Sequence, residues 1–240
     1  MSWKKSLTVL KSLLLLCFIC TQTPFLLALE KDRIIGENDL QPAGKSKFPA
    51  QIIDSIGILA IGCTVTHIGG GIAITAGHCF SDKETRLRRN LPCRSDNYDV
   101  QWGVNHEQDP TLESHCVKIL ETEFSENFDY AIFKVDPSPK SSIAVNLAQA
   151  VSGSKISIFS HPDSRPLEWS QFCALEPFQP NQIQYECDTE AGSSGAAVLD
   201  KNWGVVAIHN GYSPVHNKNG GTLIANIPYF KRVRKTGRML

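Results

Sequence analysis

The sequence predicts an all-β fold, either a barrel or a sandwich. Three observations carry that prediction. The apolar runs are short, rich in β-branched and aromatic residues, and bounded by Gly, Pro, Asn, Asp or Ser. Beyond residue 34 no long segment keeps a helical period, apart from the last one. Of the 8 cysteines, those outside the apolar leader (8 − 2 = 6) form an even set, which suits an exported domain stapled by disulfides.

The leader comes first in the chain. "MSWKKSLTVLKSLLLLCFICTQTPFLLALEKDR" places Lys4, Lys5 and Lys11 ahead of the apolar run "LLLLCFIC", and Leu26-Leu27-Ala28 offers a cleavage site. A signal peptide over residues 1–28 and a short propeptide over 29–33 are expected, with residues 34–240 as the mature domain. The run is short for a membrane span and is interrupted by Gln22 and Pro24, so no stable membrane association is expected after its removal. An uncleaved anchor is the alternative. Cys17 and Cys20 form a C-x-x-C, but they lie in the segment to be removed, which weakens a redox reading.

Strands follow. "QIIDSIGILAIGCTVTHIG" and "GIAITAGHC" are read as the first two, then "YDVQWGV", "HCVKILE", "DYAIFKV", "KISIFS", "AAVLD", "GVVAIH" and "GTLIANI". "VDPSPKSSIAVN" (135–146) is the best connection between two halves, and a short amphipathic helix fits "IPYFKRVRKTGRML". The six remaining cysteines allow 15 connectivities. The pairing Cys63–Cys79, Cys93–Cys116 and Cys173–Cys187 is favoured because it closes the shortest loops. A zinc site lacks ligand spacing, since no C-x₂-C survives outside the leader and no H-E-x-x-H exists. Neither a metal nor any other cofactor is expected.

The chain of 240 residues is 42% apolar, enough for a sizeable core, and its formal net charge is +0. Without a net basic field, nothing argues for nucleic acid as a partner. The clusters "RLRRNLPCR" and "KRVRKTGRML" are read as solvated surface.

Three segments carry chemistry. "ITAGHC" ends an apolar strand on His78, "NFDYAIFKV" puts Asp129 at the start of another, and "CDTEAGSSGAAVL" sets Ser194 among glycines. A serine hydroxyl is a poor nucleophile at neutral pH and needs a base. Histidine, with an ordinary pKa of about 6.5, suits that task. A buried carboxylate then holds the imidazole tautomer and stabilises the imidazolium. The glycines around Ser194 let the chain turn sharply, which would aim the N–H groups of Gly192 and Ser194 at one point. Such donors stabilise an oxyanion, and losing one typically costs about 3–4 kcal/mol at the transition state.

These three motifs, in this order, resemble those of the trypsin-like (chymotrypsin-fold) serine proteases, over nearly the whole of residues 34–235. The resemblance implies two six-stranded antiparallel β-barrels, about 34–140 and about 141–230, with the active site in the cleft between them and a short C-terminal helix. It implies an endopeptidase acting on protein or peptide substrates, with His78, Asp129 and Ser194 as triad and Gly192 and Ser194 as oxyanion hole; a monomer is expected.

Within that family the likeness is closest to the glutamyl endopeptidases. "ISIFSHPDSRP" resembles their loop before the serine motif, Thr189 and His209 fall where that branch has a threonine and a histidine, and "NGGTLIANI" resembles the strand that follows. A pocket for a substrate carboxylate needs donors, and Thr189 and His209 supply a hydroxyl and an imidazole N–H. A basic-selective pocket would need an aspartate there. Asp188 is adjacent, but its side chain is expected to face the other way. "EKDR/IIGEN" resembles a zymogen activation site, with a cut after Arg33 freeing Ile34. The acid that pairs with the new terminus in the trypsin group is replaced by Ser193, so a substrate-binding role is expected for Ile34 instead.

Overall fold

A computed structural model describes residues 33–93, 96–149 and 151–236. The signal peptide, nearly all of the propeptide and the Cys17/Cys20 pair lie outside the described residues. No helix among the described residues is long and apolar enough to cross a membrane.

The first half runs β1 (Gln41–Pro42), a one-turn helix α1 (Ala50–Ile53), then β2 (Ile56–Leu59), β3 (Thr64–Gly69), β4 (Ile72–Thr75), β5 (Thr85–Pro92), β6 (Val100–Trp102), β7 (Leu112–Phe124) and β8 (Asp129–Asp136). The second half holds β9 (Lys155–Ser160), β10 (Glu168–Trp169), β11 (Cys173–Ala174), β12 (Glu176–Gln179), β13 (Gln182–Tyr185), β14 (Ala197–Asp200), β15 (Val205–Ser213), β16 (Lys218–Leu223) and the helix α2 (Pro228–Thr236).

In the first half β6, β2, β3, β4 and β8 pair antiparallel in that order. The long β7 pairs with both β6 and β8 and so closes a six-stranded barrel. β5 adds to the later part of β7. In the second half the order is β9-β14-β15-β16-β13-β12, and β11 returns to β9. Only Leu175 separates β11 from β12, so one interrupted strand links the two ends of that sheet.

Three apolar clusters match this layout. Val65, Trp102, Phe133 and Val135 fill the first barrel, and Ile158, Ile183, Tyr185 and Val198 the second. The third cluster joins the halves, with Ile53, Ile74 and Ile132 from one side and Phe159, Leu199 and Ile208 from the other. Helix α2 of the second half adds Tyr229 and Phe230 to that shared core.

The structure departs from the sequence reading at three places. Residues 51–69 are not strand throughout: Pro49 sits at the N-cap of α1, whose Ile52 and Ile53 are buried, before β2 and β3. The segment assigned to the first barrel from residue 34 instead crosses to the second sheet, where Gln41 faces Trp169 and Pro42 faces Glu168. The basic cluster read as solvated surface forms strand β5, and Arg89 donates to the fully buried Glu121 at 2.6 Å. Arg232 from α2 binds the same carboxylate, and the Tyr130 hydroxyl donates to it at 2.8 Å. Burial beside that carboxylate pushes the Tyr130 phenol well above its ordinary range.

All three expected disulfides are formed: Cys63–Cys79, Cys93–Cys116 and Cys173–Cys187.

Candidate active site

Strand β4 ends at Thr75, and a single 3-10 turn, Gly77–Cys79, carries His78 out of the first barrel. Asp129 opens β8, the neighbour of β4, and is 8% exposed. Its carboxylate accepts two hydrogen bonds from His78. Oδ2 accepts from the ring Nδ1 at 2.7 Å, and Oδ1 accepts from the backbone N–H at 2.9 Å. Two contacts on one residue fix position and ring orientation together. They set Nδ1 as the protonated nitrogen, so Nε2 is the one that can exchange a proton.

Ser194 comes from the second barrel, and a short relay of bonds fixes it relative to His78. Cys79, next to His78, is bonded to Cys63. Thr64 follows Cys63, and its N–H donates to the Ser194 carbonyl at 2.9 Å and the Gly192 carbonyl at 3.0 Å. The Thr64 hydroxyl also donates to Gly192 O at 2.7 Å. The Cys63–Cys79 disulfide excludes a metal site at Cys63, His78 and Cys79, whose ligand atoms otherwise lie close enough for one, because neither sulfur is available as a thiolate.

The turn around Ser194 needs its glycines. Gly192 and Gly195 adopt φ of +94° and +86°. A Cβ at Gly192 would strike the His161 carbonyl, and one at Gly195 the Thr75 hydroxyl and Thr64 carbonyl. Ala191 O is bonded by Asp163 N–H and Gly192 O by Thr64, so both peptide planes are held. In a trans peptide N–H and C=O point opposite ways, so the Gly192 N–H faces away from Asp163. The two neighbouring serines differ sharply. Ser193 is fully buried, with its hydroxyl 2.9 Å from that of Ser160 and accepting from Glu190 N–H at 3.2 Å. Ser194 is half-buried and lines a small cleft with Ile61, Cys63, Asp163 and Gly192.

The residues expected to bind an acidic side chain lie on neighbouring segments. His209 on β15 is fully buried, and its Nδ1 is 2.6 Å from the Tyr185 hydroxyl, whose proton is directed to Gly220 O at 3.0 Å. Thr189 is fully buried, and its hydroxyl has no partner among the described residues. Ile34 is still joined to Arg33. Asn219 grips Arg33 at both backbone groups, accepting from its N–H at 3.3 Å and donating to its carbonyl at 2.8 Å. Thr189 N–H donates to the same carbonyl at 3.3 Å. The Arg33 guanidinium lies against Tyr212, 3.0 Å from its hydroxyl and 5.0 Å from its ring centre.

Asp188 is 2% exposed and turns toward this entering segment. It accepts from Ile35 N–H at 2.8 Å and Asp39 N–H at 2.7 Å. Asn219 and Tyr185 are not singled out by the sequence; Asp188 is, as the residue expected to face the other way, and it faces the entering segment.

The chain matches the family model described as a trypsin-like peptidase domain over residues 62–208. Three solved structures share its fold. One is a Glu endopeptidase in complex with MPD, 20% identical, covering 84% of this chain and 98% of that one, with a TM-score of 0.63. The Vibrio cholerae VesB protease is 16% identical, covering 85% and 68%, with a TM-score of 0.59. The Mycobacterium tuberculosis Rv3671c protease is 14% identical, covering 82% and 95%, with a TM-score of 0.54. No curated protein sequence matches the chain.

Proposed function

This chain belongs to the trypsin-like peptidase family, and from that premise we propose that it hydrolyses peptide bonds through His78, Asp129 and Ser194, with a preference for Glu or Asp before the cut. It is a serine endopeptidase, so its substrates are proteins or peptides. The observation that carries the assignment of residues is the double hydrogen bond from His78 to Asp129, 2.7 Å at the ring and 2.9 Å at the backbone.

The proposed cycle follows from these positions. Ser194 Oγ attacks the scissile carbonyl while His78 Nε2 takes its proton. The N–H groups of Gly192 and Ser194 stabilise the oxyanion. His78 returns the proton to the leaving amine, and the C–N bond breaks to leave an acyl ester on Ser194. Water, deprotonated by the same imidazole, then releases the acid. Asp129 keeps Nδ1 protonated and balances the imidazolium throughout.

The acidic preference rests on Thr189 and His209. A buried hydroxyl without a partner is costly, and a substrate carboxylate would accept its proton. The two hydrogen bonds that Asp188 accepts from Ile35 and Asp39 commit its carboxylate to the N-terminal segment, which favours an acidic over a basic preference. In the uncut chain Arg33 occupies Thr189 N–H and Asn219, so a cut after Arg33 would free Ile34 beside the pocket, where its ammonium would join substrate binding. Sequencing the mature N-terminus tests this step: a start at Ile34 is expected, and any other start refutes it. The three disulfides suit an exported protein, and we assign residues 1–28 as its signal.

Digestion of a peptide library tests the preference. Cuts enriched after Glu and Asp are expected for the wild type, and His209→Ala should lose that enrichment more than it loses turnover. Cuts with no acidic enrichment would refute the pocket assignment.

A further inference from the structure

Asp129 comes from the first barrel, yet both of its backbone groups are held by the second. Strand β15 pairs His209 with Gly221 and then Gly211 with Gly220, so Asn210 is an extra residue in a β-bulge. Bulges re-aim side chains and are frequent beside active sites. Here the bulge turns Asn210 toward β8, where its Nδ2 donates to the Asp129 carbonyl at 2.6 Å. On the adjacent β16, the Thr222 hydroxyl accepts from Asp129 N–H at 3.2 Å and donates to Asn210 Oδ1 at 2.8 Å.

The protons in this ring can be counted. A hydroxyl has one proton, and the shorter of its two acceptors is Asn210 Oδ1, since Asp129 O lies at 3.3 Å. The ring then runs from Asp129 N–H to Thr222, from Thr222 to Asn210, and from Asn210 back to the Asp129 carbonyl. It fixes the amide orientation of Asn210, because the flipped amide would oppose two acceptors at Asp129 O. Thr222 is fully buried, so the ring is shielded from water on that side.

We propose that Asn210 and Thr222 are positioning residues for the reaction, acting through the backbone of Asp129 to hold its carboxylate in register with His78. This rests on the assignment of Asp129 above. Both carboxylate oxygens are engaged by His78, within the first barrel, and the backbone ring adds a second anchor from the other barrel. It also couples the two barrels at the residue where their relative position matters most. A displacement of about 1 Å in a catalytic group costs on the order of 100-fold in rate.

Thr222→Val keeps the shape and removes the hydroxyl, and Thr222→Ser keeps the hydroxyl. Active sites would be counted with a fluorophosphonate, and kcat expressed per counted site. Thr222→Val is expected to lower kcat about 10- to 100-fold with KM within about twofold, and Thr222→Ser to recover most of the loss. A purely structural role would instead reduce the number of counted sites and leave kcat per site unchanged. If kcat per site in Thr222→Val stays within about twofold of the wild type, the positioning role is overturned. Should that variant not fold, Asn210→Ala, on a half-buried residue, is read by the same measure and the same threshold. A wild type that titrates no site would overturn the underlying assignment as well, which separates the two failures.

Discussion

At the scale of single residues, Asn210, Thr222 and Asp188 act on segments remote from their own in the chain. His78, Asp129 and Ser194 each sit in a motif of small and apolar neighbours, because a buried strand end must deliver each one. Asn210 and Asp188 carry no such signature: one depends on a bulge that arises only when β15 pairs with β16, the other on a segment arriving from 149 residues away. His161 makes a specific prediction. It is fully buried, its Nδ1 lies 2.9 Å from Arg165 O, and burial pushes its pKa down to about 4. The unfolded chain takes up this proton near pH 6.5, while the folded chain resists it until about pH 4. Stability from this group is therefore full above pH 6.5 and is lost progressively as pH falls toward 4, by on the order of 3 kcal/mol. Denaturant unfolding at stepped pH should show a shallower loss in His161→Gln than in the wild type over that window.

At the scale of elements, strands with alternating or continuous apolar patterns were found in order, including the whole of β9 and β8 as far as Val135. Strand β5 was missed because its burial is poor and its sequence charged, so its pairing with β7 and not its own pattern makes it a strand. The short β11 and β12 were missed because each depends on a different partner across Leu175. The entering segment before β1 is also held from outside, by the two N–H bonds to Asp188. Hydrogen bonds to a charged group are worth about 1.5–3 kcal/mol each in favourable cases. Asp188→Ala, which removes both, should therefore cost about 3–6 kcal/mol in denaturant unfolding and speed hydrogen exchange at Ile35 and Asp39. Unchanged exchange at those two amides would contradict a holding role for Asp188.

At the scale of the whole molecule, two barrels are held as one body by the shared apolar core, the Glu121 cluster and helix α2. That union is not legible in the sequence, since the C-terminal basic residues read as surface while Arg232 is committed to a buried carboxylate of the other half. Phe230 is fully buried in the shared core, and Phe230→Ala should cost about 3–5 kcal/mol. Because the proposed triad draws residues from both barrels, activity and structure should be lost together in a thermal scan of that variant. The central claim concerns the residues that this union brings together. Mass spectrometry of the mature protein after reaction with a fluorophosphonate tests it most directly. One phosphonyl group on Ser194 is predicted in the wild type and none in His78→Ala; an unlabelled wild type, or a label on Ser193, would contradict it.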